Sequence, residues 1–364
     1  MGEIQVNWQT LALLLGGFVI LIGGAELLVR GAARLAADLG ISPLVIGLTV
    51  VAFGTSSPEL AVSVLSAHGG QAGLALGNVV GSNICNVLLI LGLSALIAPL
   101  VVSRQVVRLE VPIMIGVSFL LLLFGLDGRL QPWEGFLLFA GAVLYVTWSV
   151  RRSRRENRSQ EQRNLQPRHN GAAGRLVQVL LILAGLGMLG IGSRWLVDSA
   201  VTIARYFRVS DLVIGLTVVA IGTSLPELAT SALAALRGER DIAVGNVVGS
   251  NIFNILVVLG LTATAAPGGL PVPEQALTLD LPVMLTVTVA CLPIFFTGHR
   301  IARWEGGLFF GYFILYNLFI VLNTLQARQL GLFLQAMFFF IIPLTLVTLT
   351  VSLWRHLHRS RSAS

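Results

Sequence analysis

The sequence predicts an all-α polytopic membrane protein in which two inverted five-helix halves are followed by one more C-terminal membrane helix, about eleven helices in all. Three observations carry that prediction. The chain has 364 residues, 55% hydrophobic and 11% charged, with a mean hydropathy of +0.85. Its apolarity is divided into stretches of about 20 residues, each long enough to cross roughly 30 Å of hydrocarbon as a helix. Finally, one segment repeats at an offset of 168 residues. A soluble fold has no interior able to hide so much apolar surface.

In chain order the spans are expected at 8–29, 43–67, 75–98, 106–125, 132–150, 175–197, 211–236, 243–266, 278–297, 304–324 and 331–354. The first is too long for a cleaved signal peptide, and no basic residue precedes it, so it is expected to be retained. Cys85 and Cys291 both fall inside spans, where neither a disulfide framework nor a zinc cluster has enough partners, and they read as small packing residues. A pI near 10.6 raises the question of nucleic acid. The basic residues lie in short connections without interleaved aromatic platforms, which argues against a nucleic-acid partner and for the lipid bilayer.

All the basic residues other than histidine are arginines, and alternate connections share them unequally. With the N-terminus outside, the inner connections hold Arg30 and Arg34, Arg104 and Arg108, Arg237 and Arg240, and Arg300 and Arg303. The outer ones hold Arg129, Arg194, Arg205, Arg208 and Arg328, diluted by Asp127, Glu134, Asp198 and Asp211. The seven arginines between Arg151 and Arg168 mark 151–174 as a solvated cytoplasmic linker. It separates a first half, 1–150, from a second, 175–324, and a basic tail closes the remaining 325–364. An odd number of spans puts that tail in the cytoplasm, in what is expected to be a bacterial inner membrane.

Positions 42–99 align with 210–267 without a gap, about two in three being identical. Gly47-Leu-Thr-Val-Val-Ala-Phe-Gly-Thr-Ser-Ser-Pro-Glu59 answers Gly215-Leu-Thr-Val-Val-Ala-Ile-Gly-Thr-Ser-Leu-Pro-Glu227, and Gly-Asn-Val-Val-Gly-Ser-Asn-Ile follows from Gly77 and from Gly245. An odd number of spans separates the copies, so the second enters the membrane from the opposite side, the architecture of secondary transporters. Duplication for packing alone would preserve size and apolarity. Here Thr, Ser, Glu and Asn persist deep in apolar spans.

Glu59 and Glu227 sit near the middle of spans two and seven, where an unpaired charge costs at least a few kcal/mol. The chain has no lysine, and no arginine lies at that depth, so the natural counter-charge is a metal cation or protons. One calcium ion would neutralise two carboxylates. Pro58 and Pro226 precede the glutamates, remove a helical donor and crowd the carbonyls of Gly54 and Gly222, so each helix should kink or open there. Carbonyls around Ala52, Thr55, Ala220 and Thr223 would then become available, tolerated in a membrane only where an ion or water satisfies them. Calcium takes about six to eight oxygens. Hydroxyls and amides for sodium are at hand in Ser56, Ser224, Ser82, Ser250, Asn86 and Asn254, with Ser82 and Asn86, and Ser250 and Asn254, four apart on one helix face.

The pairs Gly77 and Gly81, and Gly245 and Gly249, have the spacing that lets membrane helices touch, and are read as bringing spans three and eight against spans two and seven. Asn78, Asn83, Asn246 and Asn251 fit equally well as ligands or as interhelical hydrogen-bonding groups. Glu26, Glu110, Asp280 and Glu305 lie toward span ends, where interfacial water is expected to solvate them.

The duplicated Gly-Thr-Ser-x-Pro-Glu and Gly-Asn-x-x-Gly-Ser-Asn stretches resemble the two alpha repeats of the calcium/cation antiporter family, and within it the prokaryotic sodium/calcium exchangers. The motifs cover about a third of the chain. The resemblance implies that Glu59, Glu227 and the carbonyls of Thr55 and Thr223 bind calcium. It implies that Ser56, Ser82, Ser224 and Ser250, with the carbonyls of Ala52 and Ala220, line flanking sodium sites, and that Asn86 and Asn254 complete the middle. It further implies alternating access, with spans one and six sliding across the remaining core, and no cofactor. Asn254 stands where potassium-dependent members carry Asp, which weighs against potassium cotransport. Calcium/proton exchange and a cation channel are the alternatives. An enzyme is disfavoured, because no zinc-binding His-Glu-x-x-His stretch occurs and the five histidines lie at ends and linkers.

Overall fold

The structure, a computed structural model, describes residues 8–69, 72–161, 172–207, 220–296, 298–325, 329–343, 345–346 and 350. Helix α1 runs over Trp8–Leu39. The second span is broken, α2 (Pro43–Thr55) meeting α3 (Ser57–His68) at a 42° bend. There follow α4 (Gly73–Ile97), α5 (Val106–Gly125), α6 (Pro132–Glu161) and α7 (Ala172–Tyr206). A turn over Ala220–Gly222 leads into α8 (Leu225–Leu236), then α9 (Arg240–Ala265), α10 (Ala276–Phe296), α11 (Arg303–Thr324) and α12 (Leu330–Phe339).

Among the described residues, eight helices are long and apolar enough to cross a membrane, or nine with α2 and α3 counted as one span. Helix α8 is the second part of the expected span 211–236, whose opening, 211–219, lies outside the described residues, as does Gly215 with the rest of the motif before Ala220. Helix α12 begins the expected span 331–354, most of whose later part also lies outside them, with the basic tail and residues 162–171 of the linker.

Proline and a serine cap explain several of the places where the helices begin and widen. Ser42 caps α2 by accepting the Val45 N–H at 3.3 Å, with Pro43 at the first helical position, where its missing N–H costs nothing. Wide π turns open α5 at Val106–Glu110 and α10 at Ala276–Asp280, just ahead of Pro112 and Pro282, whose rings push away the carbonyls four residues back. Two more π turns begin on Asn86 and on Asn254, the same place in the two repeats.

Helices α4 and α9 form the centre, with 78% and 100% of their most apolar stretch buried, against 33% for α1 and α7. The last two pack on each other antiparallel through glycines. A Cβ on Gly24 would lie 2.8 Å from the Gly185 carbonyl oxygen, and one on Gly192 would lie 2.9 Å from that of Gly17. The repeat offset maps Gly17 onto Gly185 and Gly24 onto Gly192, so this contact obeys the same pseudo-twofold as the repeats. The outward faces, among them Leu15, Val19, Leu180 and Leu183, are exposed and suit lipid.

Two short antiparallel ribbons tie connections of equal parity: β1 (Leu100–Val101) with β4 (Arg300–Ile301), and β2 (Arg129–Leu130) with β3 (Leu270–Pro271). Cys85 and Cys291 are free thiols buried in the core.

The expectation that water solvates the outlying acids needs correction. Glu110 is fully buried, and its carboxylate accepts from Gln105 Nε2 at 2.8 Å and from the Tyr145 hydroxyl at 2.7 Å. Asp280, at the matching π turn, accepts from Tyr316 at 3.4 Å. Glu305 is buried and accepts the Ala302 N–H at 2.7 Å. Glu26 pairs with Arg30 in its own helix and with Arg237 at the end of α8, at 2.8 and 3.0 Å. Protein donors take the place of interfacial water because the neighbouring helices close over these positions.

Candidate ion-binding site

Pro58 and Pro226 stand in the first turn of α3 and α8, and each glutamate follows in that same turn. The expected kink is therefore a full break, with the helix restarted by proline. The partial positive charge of a helix N-terminus favours a carboxylate at this position. Glu59 and Glu227 are 0% and 1% exposed, so neither faces lipid.

The serines join the two repeats around them. Ser56 Oγ donates to Glu227 Oε1 at 3.2 Å, Ser82 Oγ to Glu59 Oε1 at 3.5 Å, and Ser224 Oγ to Ser82 Oγ at 3.4 Å. Four asparagines cross between α4 and α9. Asn86 Nδ2 donates to Asn251 Oδ1 at 3.1 Å, Asn254 Nδ2 to Asn83 Oδ1 at 3.0 Å, and Asn83 Nδ2 to the Asn251 carbonyl at 3.2 Å. Asn78 Nδ2 reaches the Glu59 carbonyl at 3.3 Å and Ser63 Oγ at 3.1 Å. Asn246 Nδ2 does the same for Glu227 and Ser231 at 3.4 and 2.9 Å. Asn78, Asn83, Asn246 and Asn251, left open by the sequence, thus all bond between helices. Asn83→Ala removes a donor and an acceptor from this crossing. We expect a loss of about 2 kcal/mol, seen as a lower unfolding midpoint in detergent.

Once these bonds are drawn, eight buried side-chain oxygens of the two repeats are left over, Ser94 Oγ and Thr230 Oγ1 and six on residues that the sequence singles out. Glu59 Oε2, Glu227 Oε2, Asn86 Oδ1, Asn254 Oδ1, Ser250 Oγ and Thr223 Oγ1 are buried and have no hydrogen-bond partner. Leaving one such atom unsatisfied costs about 1–3 kcal/mol, and more when it is charged. These six are oxygens of the kind that a hard cation takes. Among the described residues no group of three or more His, Cys, Asp or Glu could hold a metal ion, so this is not the donor chemistry of zinc.

The sequence expectation for backbone oxygens is met unevenly. The Ala52 carbonyl accepts the Ser56 N–H at 3.0 Å, so it is occupied in this conformation. The Gly222 carbonyl freed by Pro226 accepts from Ser193 of α7 at 2.7 Å. Ala220 stands in the turn before the break. A cavity of about 280 Å³ reaches the breaks, lined by Gly54, Thr55, Ser57 and Pro58, by Leu186, Leu189 and Gly190 of α7, and by Pro226.

The glycine pairs pack as expected in one copy. A Cβ on Gly245 would lie 2.7 Å from the Leu44 carbonyl oxygen, and one on Gly249 the same distance from that of Leu48, so α9 lies directly on α2. The corresponding neighbours of Gly77 and Gly81 would be residues 212 and 216, outside the described residues.

Known proteins resemble this chain in sequence and in fold. The family model described as sodium/calcium exchanger protein matches residues 9–151 and 177–322. Inner membrane protein YrbG of Escherichia coli is 41% identical over 284 residues, covering 76% of this chain and 86% of the relative. Sodium/calcium exchanger MaX1 of Methanosarcina acetivorans is 33% identical over 328 residues, covering 81% and 93%. A solved structure of the sodium-calcium exchanger NCX_Mj soaked with zero Na+ and Ca2+ superposes with a TM-score of 0.72 at 31% identity, covering 84% of this chain and 97% of that one. With matches to both stretches that carry the buried glutamates, this chain belongs to the sodium/calcium exchanger protein family, as a polytopic integral membrane protein.

Proposed function

We propose that this chain is an antiporter that exchanges sodium for calcium by alternating access, both ions competing for one site built on Glu59 and Glu227. The observation that carries the reading is the set of six buried oxygens without a hydrogen-bond partner, two of them carboxylate. A divalent ion between two carboxylates is neutral overall, the condition for crossing low dielectric.

Glu59, Glu227 and the carbonyls of Thr55 and Thr223 hold calcium. Ser56, Ser82, Ser224 and Ser250, with the carbonyls of Ala52 and Ala220, serve sodium, and Asn86 and Asn254 lie between. The glycine-packed pair α1 and α7 moves as one body across the rest, the inverted halves 1–150 and 175–324 supplying the two access states. The N-terminus faces out, and the linker 151–174 and the tail face the cytoplasm.

Proteoliposomes loaded with sodium test this. Calcium uptake should accelerate on dilution into sodium-free medium and should not respond to potassium, since Asn254 is neutral. Uptake that ignores sodium but follows an imposed pH gradient would replace the reading with calcium/proton exchange. Single-channel currents in a planar bilayer would replace it with a channel.

A further inference from the structure

The site is less symmetric than the polar residues that build it. The asparagine crossings obey the pseudo-twofold: Asn86 to Asn251 is matched by Asn254 to Asn83, and the clamp of Asn78 on the Glu59 carbonyl by that of Asn246 on the Glu227 carbonyl. The hydroxyls do not obey it. Thr55 Oγ1 lies 3.1 Å from Asn246 Oδ1, across the repeats, and equally near the Val51 carbonyl oxygen of its own helix. Its counterpart Thr223 Oγ1, which the same symmetry would hand to Asn78, is buried with no partner. Ser82 reaches Glu59, whereas its counterpart Ser250 is buried with no partner. Ser57 is exposed and lines the cavity, whereas its counterpart Leu225 is half-buried.

An inverted repeat with unequal halves occupies one of two related states, and exchanging the conformations of the halves generates the other. Resting on the alternating-access reading above, we infer that Asn246 and Asn78 are paired positioning residues: Asn246 accepts the Thr55 hydroxyl in this state, and Asn78 accepts the Thr223 hydroxyl in the opposite one. Each asparagine already grips the backbone of one glutamate through Nδ2. Its Oδ1 is therefore placed to sense the broken helix of the other repeat. One hydrogen bond is exchanged for an equivalent one, so neither state is favoured by the pair as a whole. Removing one hydroxyl tips the balance away from the state that uses it, by about fivefold, the weight of one net hydrogen bond.

The test reads conformation directly. In a background of Cys85→Ala and Cys291→Ala, Leu225→Cys reports the opposite state, in which it should take the exposed place that Ser57 holds now. Its labelling rate by a charged thiol reagent is measured on the full chain in detergent without calcium. Thr55→Val should raise that rate about fivefold and Thr223→Val should lower it by a similar factor. Thr55→Ser, which keeps the hydroxyl, should restore the parent rate. Shifts in the same direction for the two valine variants, no shift in either, or a Thr55→Ser rate equal to that of Thr55→Val would each overturn the inference. Labelling needs no ion gradient. Opposed shifts without sodium-driven uptake would thus overturn the exchange reading and leave the paired asparagines standing. Uptake without opposed shifts would do the reverse.

Discussion

Glu59→Gln and Glu227→Gln should each reduce sodium-driven calcium uptake by about two orders of magnitude or more, to the level of empty liposomes. Each side chain is buried, each leaves one carboxylate oxygen without a donor, and each is the sole acid in its repeat at that depth. With one carboxylate gone, a calcium ion keeps a net charge in low dielectric, worth several kcal/mol. Glutamine preserves shape and hydrogen-bonding capacity, so the variants should fold and elute as the parent does. Retained uptake in either one would remove the glutamate pair from the transport cycle.

The second large effect falls on the contact between α1 and α7. A Cβ on Gly185 would lie 2.7 Å from both the Gly24 oxygen and the Leu28 nitrogen, all of them backbone atoms that no rotamer change can move. Gly185→Ala should therefore force the helices apart and destabilise the protein by about 2 kcal/mol. Gly187, two residues on in the same helix, has nothing within 4 Å of such a Cβ, and Gly187→Ala should be neutral or up to about 1 kcal/mol stabilising, alanine being the better helix former. Thermal unfolding of the two variants in detergent separates the cases. Equal midpoints would mean that the pair does not pack as closely as its glycines indicate.

Much of this molecule is legible in its sequence because lipid restricts the answers so severely. A run such as 106–125 has one solution in hydrocarbon, and α5 matches it residue for residue. The glutamates were legible for the same reason: an acid in the middle of an apolar span needs a counter-charge, and a second copy at a fixed offset says that the need is shared. Helix ends were less legible. Span 8–29 becomes Trp8–Leu39, and 132–150 becomes Pro132–Glu161. Hydropathy marks where lipid ends, while Ala, Leu and Arg beyond that point continue to favour helix.

The buried polar residues were legible as a set and not as a geometry. Asn83 and Asn86 are three apart and equally polar, yet the first spends both its polar atoms between helices and the second keeps its oxygen free of any donor. The second stands at the start of a π turn, for which no residue pattern gives a signal. Glu110 was assigned to water because its position lies near a span end, whereas Tyr145 arrives from another helix to bond it. Such partners are tertiary, and periodicity within one helix does not contain them.

Equilibrium binding of radioactive calcium to the purified protein tests the account most directly, because it asks about the site without the transport cycle. We expect saturable calcium binding that sodium displaces competitively and that vanishes when Glu59 and Glu227 are both glutamine. Calcium that stays bound in the double variant, or that sodium fails to displace, would contradict it.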